Sequence, residues 1–186
     1  MRADARRNRA RILEAARALV AATGAEATME DIARHAEVAV GTLYRHFPAK
    51  EDLVAAVLDD AAAQIAALAE RALAAVDRGA EPVAELDALF RAVADRHATD
   101  RAFKAASGRL DHDLEAALAA APPGSGAERA TRAITALLDR ARASGAVRPD
   151  VTFADLVLLL GSVPGPEVDD ARRARYLDIV LAGLRP

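Results

Sequence analysis

Apolar positions recur along this chain at spacings of three and four, the period of a helix with one buried face. From Arg9 to Thr23 the residues Ile12, Leu13, Ala16, Leu19 and Val20 share one face, and Gly24 supplies a stop that accepts left-handed backbone angles. Thr28 has the character of an N-cap, with Asp31 three residues on in the place of a capping-box acid. Ile32 and Ala33 then face inward, and that helix runs to about Ala36, with Glu37 and Val38 making the turn. The next helix starts near Val40 and ends at Phe47, because Pro48 restricts the residue before it. Such a short helix is unstable alone and needs Leu43 and Phe47 packed against neighbours.

A long stripe follows from Ala49 towards Val76, carried by Leu53, Val54, Val57, Leu58, Ala61, Ile65 and Leu68, until Asp77, Arg78, Gly79 and Pro82 break it. Further amphipathic helices are predicted at about 82–98 (Val83, Leu86, Leu89, Phe90, Val93), 100–107 and 109–121 (Leu110, Leu114, Leu118). After the loop PPGSG at 122–126 come helices at about 127–144, from the cap Thr152 to before Pro164, and at about 169–184. No internal repeat is evident, and the expected fold class is all-α.

Composition agrees. With 186 residues, 53% apolar and only 3% aromatic, the chain has material for a real core and little that favours strands. Alanine, the best helix former, is its commonest residue. The absence of cysteine excludes disulfides, thiolate nucleophiles and cysteine-ligated zinc. The charged amino terminus MRADARRNRARI does not read as a secretory signal, and the longest strongly apolar run, Leu156 to Leu160, is too short to span a bilayer. A soluble, cytoplasmic protein with no membrane partner is expected.

Charge sharpens the picture. The net charge of −3 hides nine Lys/Arg against six Asp/Glu in residues 1–50, and 16 against 22 in the rest. Arg2, Arg6, Arg7, Arg9 and Arg11 form a basic arm, which reads either as a nucleic-acid surface or as a solvated tail. Beside it, the short helix carries Thr42, Tyr44, Arg45 and His46 after a turn. A helix fits the major groove, where Arg45 can bond guanine or a phosphate and Thr42 can reach a base or a thymine methyl. Gly41 permits close approach to the duplex. The Tyr44 phenol has the length for a phosphate, His46 and Lys50 lie where phosphates flank the groove, and Thr28 opens a helix whose N–H groups suit a phosphate oxygen. Each residue alone has a plainer reading: Tyr44 half-buried, Arg45 and Lys50 solvated, His46 a helix-end cap. Together they point to DNA.

The run VGTLYRHF followed by PAKEDL resembles the recognition helix and following turn of TetR-type bacterial transcriptional regulators, over about residues 8–67. The resemblance implies an amino-terminal three-helix helix-turn-helix domain at 8–67, with the helix-turn-helix at about 28–47. A long helix joins it to a helical ligand-binding and dimerisation domain at 68–186. It also implies that Thr28, Tyr44 and Lys50 contact phosphates, while Val40, Gly41, Thr42 and Arg45 face base edges. Val40 and Gly41 offer no hydrogen-bonding side chain, so direct readout falls to Thr42 and Arg45, with DNA shape contributing.

The same resemblance implies a homodimer on operator DNA, released by a small-molecule inducer with the long helix as lever. The helices at 127–144 and 169–184 correspond in order to the family's dimer interface. Their stripes (Ile134, Leu137, Leu138; Leu177, Val180, Leu181, Leu184) fit an interface or intramolecular core. A ligand pocket would lie among Phe90, Val93, His97, Phe103, Leu110 and Leu114, where His97 is a ligand contact or a bonded core histidine. Asp111-His112-Asp113 point to different helix sides and read as a solvated face, so neither metal nor cofactor is expected. No G-x-S-x-G, H-E-x-x-H, Walker or Rossmann motif occurs, and Ser107 and Ser125 lack an evident base, so an enzyme is not expected. The alternative is a helical protein-interaction adaptor, which leaves the basic arm unexplained.

Overall fold

A computed structural model describes residues 2–23, 27–99, 121–165 and 167–186, with all their side chains except those of residues 2, 3, 20–23 and 97–99. The described residues form helices and no strand: α1 (Arg2–Thr23), α2 (Met29–His35), α3 (Val40–His46), α4 (Lys50–Asp77), α5 (Pro82–Thr99), α6 (Gly126–Ala143), α7 (Phe153–Gly161) and α8 (Asp170–Gly183). The helices expected at 100–107 and 109–121 lie outside the described residues. The chain divides inside α4, between Ala61 and Ala62, into two compact units. That is slightly before the boundary expected after residue 67. The apolar stripe of α4 runs on through both positions, so hydropathy alone marks no border.

In the amino-terminal unit, α1 packs on α2 and α2 on α3. Their core joins Ile12, Leu13, Ala15 and Ala16 of α1 to Met29, Ile32 and Ala33 of α2, Leu43 of α3, Phe47, and Leu53 and Val57 of α4. The basic arm departs from expectation. The helix predicted from about Arg9 begins at Arg2, so the arm is helical rather than a loose tail. Arg and Ala are strong helix formers, Asp4 sits favourably in the first turn, and its carboxylate pairs with Arg7 one turn on.

The carboxyl-terminal unit is a helical core in which α5 packs on α6 and α7, and α6 on α7. Leu86, Leu89, Phe90 and Val93 meet Leu137, Leu138, Leu156, Leu177, Leu181 and Leu184. Arginine–carboxylate pairs rim it: Arg129 grips Glu70 with two bonds of 2.9 and 2.6 Å, and Arg140–Asp77 (2.8 Å) and Arg91–Asp178 (2.7 Å) join other helices. Thr152 caps α7 with a full capping box, its hydroxyl accepting from the Asp155 N–H while the Asp155 carboxylate accepts from the Thr152 N–H at 2.7 Å.

Most of the dimer stripe takes the second of its two expected places, the intramolecular core. Leu137, Leu138, Leu177, Leu181 and Leu184 are all buried in the unit's own core, so they offer no surface to a partner. Only Ile134 and Val180 of the expected set remain partly exposed. Helical periodicity finds the apolar face of a helix but does not say whether the covering surface comes from the same chain.

Leu138→Ala is expected to lower the unfolding free energy by about 2–5 kcal/mol in denaturant titration, the cost of a cavity in a closed core. Acid should also destabilise the fold. Donation from Thr28 to Asp31, Arg129 to Glu70, Arg148 to Asp150 and Thr152 to Asp155 holds these carboxyls below their ordinary values. The folded state therefore binds fewer protons than the unfolded one, and this stabilisation, present at neutral pH, is lost as pH falls through and below the usual carboxylate range. The melting temperature should drop as pH is lowered through that range, and less steeply in Asp155→Asn.

Candidate nucleic-acid interface

Helix α3 has two faces of opposite character. Leu43 and Phe47, one turn apart, are 0% and 4% exposed and anchor it to the unit below. Val40, Gly41, Tyr44 and Arg45 are exposed on the other side, with Thr42 and His46 half-buried at the edges. The cap residue Ala39 has no side-chain bond to give, so its carbonyl accepts from the N–H groups of Thr42 (2.8 Å) and Leu43 (3.2 Å).

The turn into α3 is held by a strained residue. Glu37 has φ 51°, the left-handed region that favours glycine. For a residue with a Cβ this costs about 1–2 kcal/mol. The Val38 N–H closes the turn on the Ala33 carbonyl at 3.0 Å. From α1, Arg11 then donates to the Glu37 carbonyl (3.3 Å) and carboxylate (2.8 Å), pinning the turn from outside. Nearby, the Arg9 guanidinium lies 5.5 Å from the centre of the Phe47 ring, at the distance of a cation–π contact. Sequence reasoning missed both contacts, since only the crossing of α1 over the turn brings positions so distant in the chain together.

Polar groups at the start of α2 are already engaged. The Thr28 hydroxyl accepts from the Asp31 N–H (3.1 Å) and donates to the Asp31 carboxylate (2.6 Å), and Arg34 adds a bond of 2.9 Å to that carboxylate. The Thr28 bond, helped by Arg34, holds the Asp31 carboxyl below its ordinary value against the opposing effect of desolvation. A phosphate at this helix start would thus meet backbone N–H groups rather than the Thr28 hydroxyl. Sequence reasoning also missed Glu30, whose carboxylate accepts from the Tyr44 hydroxyl at 3.4 Å. A bond this long is weak, and a phosphate oxygen can replace it.

Arg45 is exposed and forms no ion pair among the described residues. Lys50 opens α4, half-buried. At Gly41 nothing stands within 4 Å of where a Cβ would project, so the space there is left to whatever approaches the helix. The surface therefore suits a polyanion with a groove: an anchored helix, small residues at its first turn, and hydrogen-bond donors beyond.

Of the residues expected in a ligand pocket, two are described with their side chains. Phe90 and Val93 are buried in the carboxyl-terminal core. The His97 side chain, Phe103, Leu110, Leu114 and Asp111-His112-Asp113 lie outside the described residues. Among the described residues no helix is long and apolar enough to cross a membrane, and no group of His, Asp and Glu is placed to hold a metal ion.

Residues 12–57 match the family of bacterial regulatory proteins named tetR, and residues 81–186 match the carboxyl-terminal domain of SbtR-like transcriptional regulators. The transcriptional repressor KstR of Mycobacterium tuberculosis is 41% identical over 83 residues, covering 44% of this chain and 36% of that protein. The chain thus matches only about a third of the length of that curated relative. A TetR regulatory protein from Mycobacterium vanbaalenii matches with a TM-score of 0.67 at 35% identity, covering 100% of this chain and 99% of the other. A gamma-butyrolactone receptor described as ArpA-like matches with a TM-score of 0.62 at 29% identity, covering 97% of each chain.

Gly41→Ala separates fold from contact at this surface. With no neighbour in the way, it should stabilise α3 by up to about 1 kcal/mol in thermal unfolding. Because the added methyl projects toward the approaching duplex, it should weaken DNA binding at least about tenfold in a gel shift, roughly 1.4 kcal/mol. Unchanged affinity would mean that α3 does not come close to DNA at this position.

Proposed function

This chain belongs to the tetR family of bacterial regulatory proteins, and from that premise we propose that it is a dimeric transcriptional repressor, holding operator DNA through α3 and releasing it when a small molecule binds its carboxyl-terminal unit. The observation that carries this reading is the two-faced α3, with Leu43 and Phe47 buried and a polar face exposed after a pinned turn. In it Val40, Gly41, Thr42 and Arg45 face base edges. Tyr44, His46, Lys50 and the start of α2 at Thr28 meet phosphates. Tyr44 exchanges its weak bond to Glu30 for a phosphate oxygen on docking.

A reader of one half-site needs a partner, and a two-fold dimer would place its half-sites about one helical turn, roughly 34 Å, apart or a multiple of that. The carboxyl-terminal unit supports this with exposed apolar side chains that a second copy can cover. Leu158 is 69% and Ile179 60% exposed, and Ile134 and Val180 are half-buried. The likeness to a gamma-butyrolactone receptor supports a small organic ligand as the releasing signal. Such a ligand shifts the equilibrium only by its differential affinity for the bound and free states. The chain acts on DNA in the cytoplasm and carries out no reaction of its own.

Gel-shift titration with DNA upstream of the gene, at low salt, tests the reading, and absence of sequence-selective binding would sink it. Within a positive result, Tyr44→Phe should weaken binding by about 1 kcal/mol on every sequence, as the loss of one phosphate bond. Arg45→Ala should relax preference at one or two base pairs by about 1–3 kcal/mol each. Equal loss on all sequences for Arg45→Ala would remove it from base readout.

A further inference from the structure

Helix α1 runs well beyond the core it belongs to. From Asp4 to Arg11 no side chain is buried, and Ile12 is the first described residue of α1 to enter the core. These eight residues make about two turns, roughly 12 Å of helix. An exposed helical extension gains nothing from apolar burial, so its purpose lies in what it displays. Positions 6, 9, 13 and 16 lie on one stripe of the helix. Leu13 and Ala16 on that stripe are buried, whereas Arg6 and Arg9 are exposed. The face that is apolar inside the unit becomes basic beyond its edge.

The surroundings fix where that basic stripe sits. Arg9 lies over Phe47, the residue that ends α3, and Arg11 is tied to Glu37 in the turn that begins the approach to it. Arg7, off the stripe, is turned to Asp4. Arg6 and Arg9 form no ion pair with any carboxylate among the described residues. Arg9 beside the end of a helix proposed to lie in a DNA groove, with Arg6 about one turn further out on the same stripe, has the chemistry to grip a phosphate oxygen, and the guanidinium fork suits it.

We propose that the projecting end of α1 is a second DNA-backbone element, in which Arg6 and Arg9 clamp the phosphates flanking the groove occupied by α3. It adds affinity without sequence preference. The proposal rests on the regulator reading above.

Fluorescence anisotropy of the full chain tests it on two duplexes: one obtained by in vitro selection on this chain, and a scrambled duplex of the same length. Binding is followed as salt is raised. The Arg6→Gln/Arg9→Gln double variant should lose affinity for both duplexes alike, roughly tenfold at about 0.15 M salt. The slope of log K against log salt should become shallower by about 0.9 for each phosphate that the variant no longer neutralises. Arg6→Lys/Arg9→Lys should keep the slope. Arg6→Gln alone, at an exposed position with no ion pair among the described residues, repeats the test without disturbing Phe47. An unchanged slope in variants that still bind overturns the clamp and leaves the regulator reading standing. A loss confined to the selected duplex also overturns it, since that is base readout. If the unaltered chain selects no sequence and binds neither duplex, the regulator reading fails and the clamp with it.

Discussion

Burial of Leu43 and Phe47, one turn apart on the same side of α3, is the constraint on which the amino-terminal unit depends. A seven-residue helix has too few internal bonds to persist in water. Two large apolar side chains withdrawn from solvent contribute about 1.5–3 kcal/mol each, enough to hold what the backbone alone does not. The anchor also decides orientation. Once Leu43 and Phe47 point down, positions 40, 41, 44 and 45 must point out, so the exposed chemistry of α3 is set by what is hidden beneath it. Pro48 ends the helix before that outward face can lengthen.

Around this anchor the charges are arranged unevenly. Carboxylates of Glu30 and Asp31 crowd the start of α2, where Tyr44 and Arg34 engage them. Arg9 of α1 lies over Phe47 at the end of α3, and Lys50 opens α4 just after it. Arg11 spends its charge on Glu37, an exposed pair worth little as an ion pair. Its bond to the Glu37 carbonyl helps hold a left-handed residue in place, which makes it part of the turn's geometry.

The carboxyl-terminal unit follows a different logic. Its leucine stripes close on one another, and Arg129–Glu70 and Arg140–Asp77 join α6 to α4 around the rim. Among the described residues, what remains apolar and exposed there is sparse, chiefly Leu158 and Ile179. The periodic pattern does not separate these from the core, because a lone exposed leucine or isoleucine looks the same in sequence as a buried one.

Helices α2 and α3 and the caps at Thr28 and Thr152 were legible from the residues alone. Thr28, Pro48 and Thr152 act through neighbours three residues away or fewer, and such local chemistry can be read without a fold. The inward placing of Leu43 and Phe47 was legible too, since one helical turn separates them and both are large and apolar. Packing alone decided that Arg9 reaches Phe47 and Arg11 reaches Glu37, that Tyr44 rests on Glu30, and that Leu137, Leu138, Leu177, Leu181 and Leu184 are core. Each depends on which elements meet across tens of residues. Helical periodicity states that a face must be covered; only the packing states by what.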